Sequence, residues 1–303
     1  MRWQVKAGIQ NVVSLAPRRE QLNYLLQRSK GSFPVSDTQI RLHFSEASKH
    51  LARYEHHTGR EAAEARLYEF GAGWDLIGAV SMWMLGVERQ TLVDLEPHVR
   101  WDLAQHTLQR LAALHDELQT TAGRVLRRLD TTPITSVAGL ESRLGVSYHA
   151  PRDARATGFD RGSCDFITST FTLEHVPGDD IAAILRESVR LLDHGGVVSC
   201  SIDMQDHYSF VDPSISIYNF LRYSDRTWRW VNSPLHFQNR LRARNHIELF
   251  RSVGLEIVAT DAHQPTDEQR QALRALPLDA RFKRAFTLDE LAVKALDVVA
   301  AER

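Results

Sequence analysis

The chain has 303 residues, 37 Lys and Arg against 38 Asp and Glu, a formal charge of -1 and 43% hydrophobic residues. This balance excludes a disordered chain and a coiled-coil rod, and it argues against a general nucleic-acid binder. No window approaches the roughly twenty uninterrupted apolar residues of a membrane span, and the opening residues, interrupted by Lys6, Gln10 and Arg18, lack a signal-peptide core, so a cytoplasmic protein is expected.

Residues 1–65 carry no strand pattern. Leu22, Leu25 and Leu26 recur at helical spacing before the break at Lys30-Gly31-Ser32-Phe33-Pro34, which predicts two or more helices joined by a loop. At Arg66 the pattern changes to a short strand ending at Phe70, a turn at Gly71-Ala72-Gly73, a buried helix over Leu76–Leu85 and a second strand over Gln90–Leu95. That succession opens a parallel sheet with crossover helices. The stretch between Pro97 and Val146 is longer than one crossover requires, so a helical insertion is expected over about 98–145 before a brief third strand at Val146–Tyr148. A fourth strand at Cys164–Ser169, a helix at Ile181–Leu192, and Gly195-Gly196 turning into a fifth strand at Val197–Ile202 follow. Residues 205–245 are aromatic, Arg-rich and Asn-rich. A helix at His246–Val253 and a strand at Leu255–Thr260 close the domain, and the remainder from Pro265 reads as helical. Both cysteines, Cys164 and Cys200, fall in predicted strands and read as buried thiols rather than a disulfide or metal pair.

Glu69-x-Gly71-x-Gly73 stands where a strand feeds a helix, and glycines there let the backbone approach a ligand. The third glycine of a dinucleotide fingerprint is missing, and Asp75 at the helix start would repel a pyrophosphate, which disfavours NAD and FAD. A ligand with a cationic amino-acid end and a ribose fits: Glu69 would hold an ammonium indirectly and Asp94 would accept ribose hydroxyls.

Together Glu69-Phe70-Gly71-Ala72-Gly73, Leu92-Val93-Asp94-Leu95, Cys164–Ser169 leading into Leu173-Glu174-His175-Val176, and Leu191–Val198 with its glycine pair resemble the class I S-adenosylmethionine-dependent methyltransferases of the broad type 11 group. The resemblance spans about residues 67–202. It implies an α/β fold with a doubly wound, mostly parallel seven-stranded sheet of Rossmann-like type, here with a helical N-terminal segment (1–65) covering the cofactor, a methyltransferase domain (66–264) and a helical extension (265–303). The cofactor it implies is S-adenosyl-L-methionine, held by Glu69, Gly71, Ala72, Gly73, Asp94, Leu95, Asp153, Ala154 and Thr170, with Asp153 accepting the adenine amino group.

Methyl transfer is an in-line displacement, helped by a base when the acceptor is a hydroxyl. His207 ranks first as that base, oriented by Asp203 or Asp206, with Glu174 and His175 as the other candidates. No metal is expected, because the histidines show no HxxxH spacing. Residues 218–228 and 238–242 resemble a methyltransferase subgroup of polysaccharide or glycan biosynthesis. Their rings, amides and guanidinium groups suit an anionic, glycan-linked or small-molecule acceptor, with Tyr208, Tyr218, Asn219, Arg222, Asn239, Arg240 and Arg242 as its contacts. The reading is an O-methyltransferase acting on such a hydroxyl. The alternatives are a catalytically silent scaffold of the same fold or a methyltransferase acting on protein or nucleic acid. At most, the basic N-terminal segment (Arg2, Lys6, Arg18, Arg19, Arg28, Lys30) would touch an anionic membrane; a basic helix over the cofactor is the simpler expectation.

Overall fold

The computed structural model describes residues 2–17, 19–29 and 31–302, so Arg18 and Lys30 lie outside the described residues. Strands β1 (Arg66–Phe70), β2 (Arg89–Val93), β3 (Val146–His149), β4 (Cys164–Thr170), β5 (Leu192–Asp203), β6 (Leu255–His263) and β7 (Ala295–Glu302) form one sheet in the order β3-β2-β1-β4-β5-β7-β6. The first five are mutually parallel, whereas β7 runs antiparallel to both β5 and β6. Strands β1 and β4 are near-continuous buried runs, as expected where helices cover both faces.

Helices α1 (Trp3–Ser14), α2 (Arg19–Ser29) and α3 (Asp37–Thr58) precede the sheet. The third begins at a capping box between Ser36 and Gln39 and ends at Gly59 in the left-handed region. Ile40, Phe44, Ala47, Leu51 and Tyr54 pack it onto one face of the sheet beside α4 (Ile77–Met84), in a core shared with the inserted helices α5 (Trp101–Ala113), α6 (His115–Ala122) and α7 (Val137–Leu144). The opposite face is covered by α8 (Gly178–Leu191), through Ile181, Ile184, Leu185 and Leu191, and by α10 (Ala243–Ser252), through Phe250. Between β5 and α10 a segment containing α9 (Asp225–Val231) joins α1 and the C-terminal helices α11 (Asp267–Ala275), α12 (Ala280–Ala285) and α13 (Leu288–Ala292) in a third core.

Two expectations change. The C-terminal extension is not helical to its end: residues 295–302 are β7, wedged between two strands and buried along most of its length. Asp297 sits inside it, held by Arg53 at 2.6 Å, so a strand containing an acid and three nearby alanines is specified by its two neighbours rather than by propensity. Nor does the glycine pair precede β5; it lies within that strand. A Cβ on Gly196 would fall 2.6 Å from the Asp165 carbonyl oxygen, so glycine permits the close approach of β5 to β4. On α2, Leu22 and Leu25 are exposed and Asn23 is the buried residue, so the leucine spacing does not mark the packed face. No helix among the described residues is long and apolar enough to cross a membrane.

Candidate active site

The chain runs from β1 outward through β2 to β3, then returns to place β4 on the other side of β1. Such a reversal leaves a crevice at the carboxyl ends of β1 and β4. There a cavity of about 720 Å3 is lined by the turn after β1, the ends of β2 and β4, the start of α8 and, as a cover, Gln27, Phe33, Gln39 and His43 of the N-terminal segment. Its size lies within the roughly 300–1,000 Å3 of small-molecule sites.

Gly71 and Gly73 have φ of 81° and 78°. A Cβ on Gly71 would collide with the Thr172 side chain, whereas one on Gly73 would meet nothing within 4 Å. The turn is therefore closed on one side and open on the other. Asp94 follows β2 and is 5% exposed. It accepts a hydrogen bond from the Tyr148 hydroxyl at 3.0 Å, and the backbone N–H groups of Gly73 and Ala72 face it. Burial still outweighs these donors and pushes its pKa up to about 7. Glu69, 6% exposed, lies under the turn against Gly78 of α4, and burial, assisted by the Asp94 charge, raises its pKa to about 8. Two carboxyl groups are thus held where burial outweighs whatever stabilises their charged forms, a cost that a cationic ligand would offset.

The other expected cofactor residues, Ala72, Leu95, Asp153, Ala154 and Thr170, also line the cavity. Asp153 is already clasped by Arg155, whose guanidinium also reaches Asp180 at 2.6 Å, so any adenine amino group would share its oxygens. Sequence reasoning missed several wall residues. His43 and Asp75 lie near each other there, with burial lowering the histidine and raising the acid, and the Asp75 carboxylate accepts from the Ile77 N–H at 3.2 Å in the turn before α4. Trp74 stacks on Tyr24 at 5.5 Å with Arg100 over both rings, fastening α2 to the turn. Phe171, at the end of β4, has φ of 51°, a strained value for an aromatic residue. A lone His on a long helix offers no sequence signal; only the stacking of α3 over the sheet identifies it.

Beside this wall lie the candidate bases. His175 lines the cavity, donates from Nδ1 to the Phe237 carbonyl at 2.7 Å and so leaves Nε2 with its lone pair; burial depresses its pKa to about 4. His207 stands behind it, ring centroids 4.9 Å apart, and does not line the cavity. Its Nε2 is 3.3 Å from Asp203 Oδ2, in a geometry that makes no hydrogen bond. His207 is therefore displaced as first-ranked base by His175. Asp206 does not orient it either, since that carboxylate accepts from the Tyr208 N–H and the Asn219 amide. Glu174 is 2% exposed and its burial raises its pKa well above the usual range.

The expected acceptor contacts do not reach the cavity wall. Arg242 is fully buried and donates to the carbonyls of Met204 at 2.7 Å, Leu291 at 2.9 Å and Val293. Arg240 pairs with Asp225 at 2.5 Å and with the Phe220 and Tyr223 carbonyls. Tyr208 and Tyr218 donate to the carbonyls of Val231 and Ala292, Asn219 to Asp206, and Asn239 to those of Leu173 and Val176. Arg222 is exposed over Tyr223. Apart from Arg222, these side chains are taken up by carbonyl and carboxylate partners within the protein. They form no anion cradle, which removes the basis for an anionic glycan acceptor.

Residues 129–200 match the family model described as "Methyltransferase domain", a span that holds α7, β3, β4, α8 and most of β5. The glycine turn and Asp94 precede it. A comparison with curated proteins finds no match. Among solved structures, the chain is similar to a geranyl diphosphate C-methyltransferase from Streptomyces coelicolor A3(2), at 13% identity over 86% of this chain and 79% of that one with a TM-score of 0.48. It is similar also to an S-adenosylmethionine-dependent methyltransferase from Mesorhizobium loti, at 17% identity over 80% and 92% with a TM-score of 0.43. A third, from Methanosarcina mazei, shares 13% over 82% and 95% with a TM-score of 0.45.

Proposed function

We propose that this protein transfers the methyl group of S-adenosylmethionine to the hydroxyl of a small acceptor. The observation that carries the reading is the pair of buried carboxyl groups, Glu69 and Asp94, flanking an open glycine turn at the switch point of the sheet. S-adenosylmethionine is the cofactor: its ammonium and sulfonium supply the positive charge that these carboxylates lack, and its ribose hydroxyls suit Asp94. The methyltransferase-domain match supports the same reading.

Gly73, Ala72 and Leu95 border the space for the cofactor, and Phe33, Gln39 and His43 cover it from the N-terminal segment, excluding water from the displacement. His175 Nε2, unprotonated at neutral pH, is the acceptor-side base on the wall. The test is incubation with methyl-labelled S-adenosylmethionine and a panel of hydroxyl compounds. Formation of S-adenosylhomocysteine with a gain of one CH2 on an acceptor is expected. Tight cofactor binding without turnover on alcohols, phenols or sugars would overturn hydroxyl transfer.

A further inference from the structure

The geometry points to a divalent transition-metal site formed by Glu174, His175 and His207 at the carboxyl ends of β4 and β5. One ligand atom from each of the three lies within 4.8 Å of the others. Two imidazoles with one carboxylate, leaving coordination positions open, suit Fe2+, Mn2+, Co2+ or Zn2+ rather than Mg2+ or Ca2+.

The donors are arranged as ligands and make no hydrogen bond through their free atoms, with only the Asp203 carboxylate standing 3.3 Å from His207 Nε2. Both Glu174 carboxylate oxygens are buried and make no hydrogen bond, with the backbone N–H groups of Glu174 and Asp203 only nearby. A carboxylate left so is costly unless a cation meets it. His207 Nε2 is likewise buried without a hydrogen bond. His175 gives its Nδ1–H to a backbone carbonyl, the arrangement that fixes a ligating imidazole with Nε2 free. Three successive residues of the aromatic segment hold the set in place. Phe237 accepts from His175, the Gln238 Oε1 accepts from the His207 N–H at 3.1 Å, and the Asn239 N–H donates to the Glu174 carbonyl at 2.7 Å. This clamp gives the segment a purpose that its carbonyl-bound arginines do not. The His236 Nε2 is also buried and unpartnered, with its ring 5.5 Å from that of His175. By contrast, the other carboxylate and histidine group, Asp261, His263 and Asp297, has its buried acid taken by Arg53.

His175 belongs to the cavity wall, so the metal adjoins the proposed cofactor cleft. Resting on the methyl-transfer reading, the metal occupies His175 Nε2, which then no longer serves as a free base, and it coordinates the acceptor hydroxyl and lowers its pKa. The proton leaves to solvent, the oxygen lone pair forms the C–O bond, and the C–S bond breaks as the sulfonium becomes a neutral thioether.

The experiment is titration of the tag-free, chelator-stripped full chain with Co2+, followed by its visible absorption and by calorimetry. Glu174→Gln and His207→Ala are titrated alongside, with S-adenosylmethionine binding and thermal melting measured on each. One saturable Co2+ per chain is expected, weakened about 100-fold or more in both variants while cofactor binding and melting cooperativity persist, since neither side chain lines the cofactor cavity. Co2+ binding without cofactor binding would leave the metal site standing and sink the methyltransferase reading. Absence of saturable Co2+ binding by the parent, or equal affinity in the folded variants, would overturn the site.

Discussion

Replacing Glu69 by Gln tests whether the cleft stores electrostatic cost for a cationic ligand. Burial raises the Glu69 pKa from 4.5 to about 8 in the folded protein. An acid so raised keeps its proton when the unfolded chain has lost it, so it leaves stability untouched below pH 4.5 and subtracts from it as pH climbs to 8. At ~1.36 kcal/mol per pH unit the interval sets a ceiling of ~5 kcal/mol. Glu69→Gln lacks this charge. Without ligand it is expected to match the parent at pH 4.5 in urea unfolding and to exceed it by a few kcal/mol at pH 8. With S-adenosylmethionine the lead narrows: the variant binds about tenfold more weakly, ~1.4 kcal/mol, because the ligand's positive charge is what the carboxylate awaits. A variant equally stabilised at both pH values, or less stable at pH 8, would refute the reasoning.

Other outcomes follow from the same contacts. Asp94→Ala should weaken S-adenosylmethionine by about 1.5–3 kcal/mol in calorimetry, the range for hydrogen bonds to a charged group. In the parent, cofactor affinity should rise with pH from 6 to 8 with release of protons, because the pKa values of about 7 and about 8 at Asp94 and Glu69 fall when a cation binds; proton release measured across buffers of different ionisation enthalpy checks it. Arg242→Met should lower stability by ~1–3 kcal/mol, since it strands the carbonyls of Met204, Leu291 and Val293, and it should leave cofactor affinity nearly unchanged in the folded fraction.

The sheet was legible where one feature dominates: Leu67 to Phe70 is a buried run, and the glycines after it mark the turn from strand to helix. Residues 295–302 were not, because Asp297 and the alanines acquire strand character only from β5, β6 and Arg53. The arginines show how composition misleads. A locally basic run looks like an anion site, but the partners of Arg242 are carbonyls 38, 49 and 51 residues away, which no local pattern displays. Likewise Glu174, His175 and His207 share no metal-binding spacing, and it is the parallel pairing of β4 with β5 that brings them together.

Calorimetric titration of the purified full chain with S-adenosylmethionine tests the central claim most directly, with Asp94→Ala titrated in parallel and thermal melting recorded for both. One ligand per chain, bound by the parent and weakened in a variant that still melts cooperatively, is the predicted result. A folded parent with no saturable binding would contradict the account.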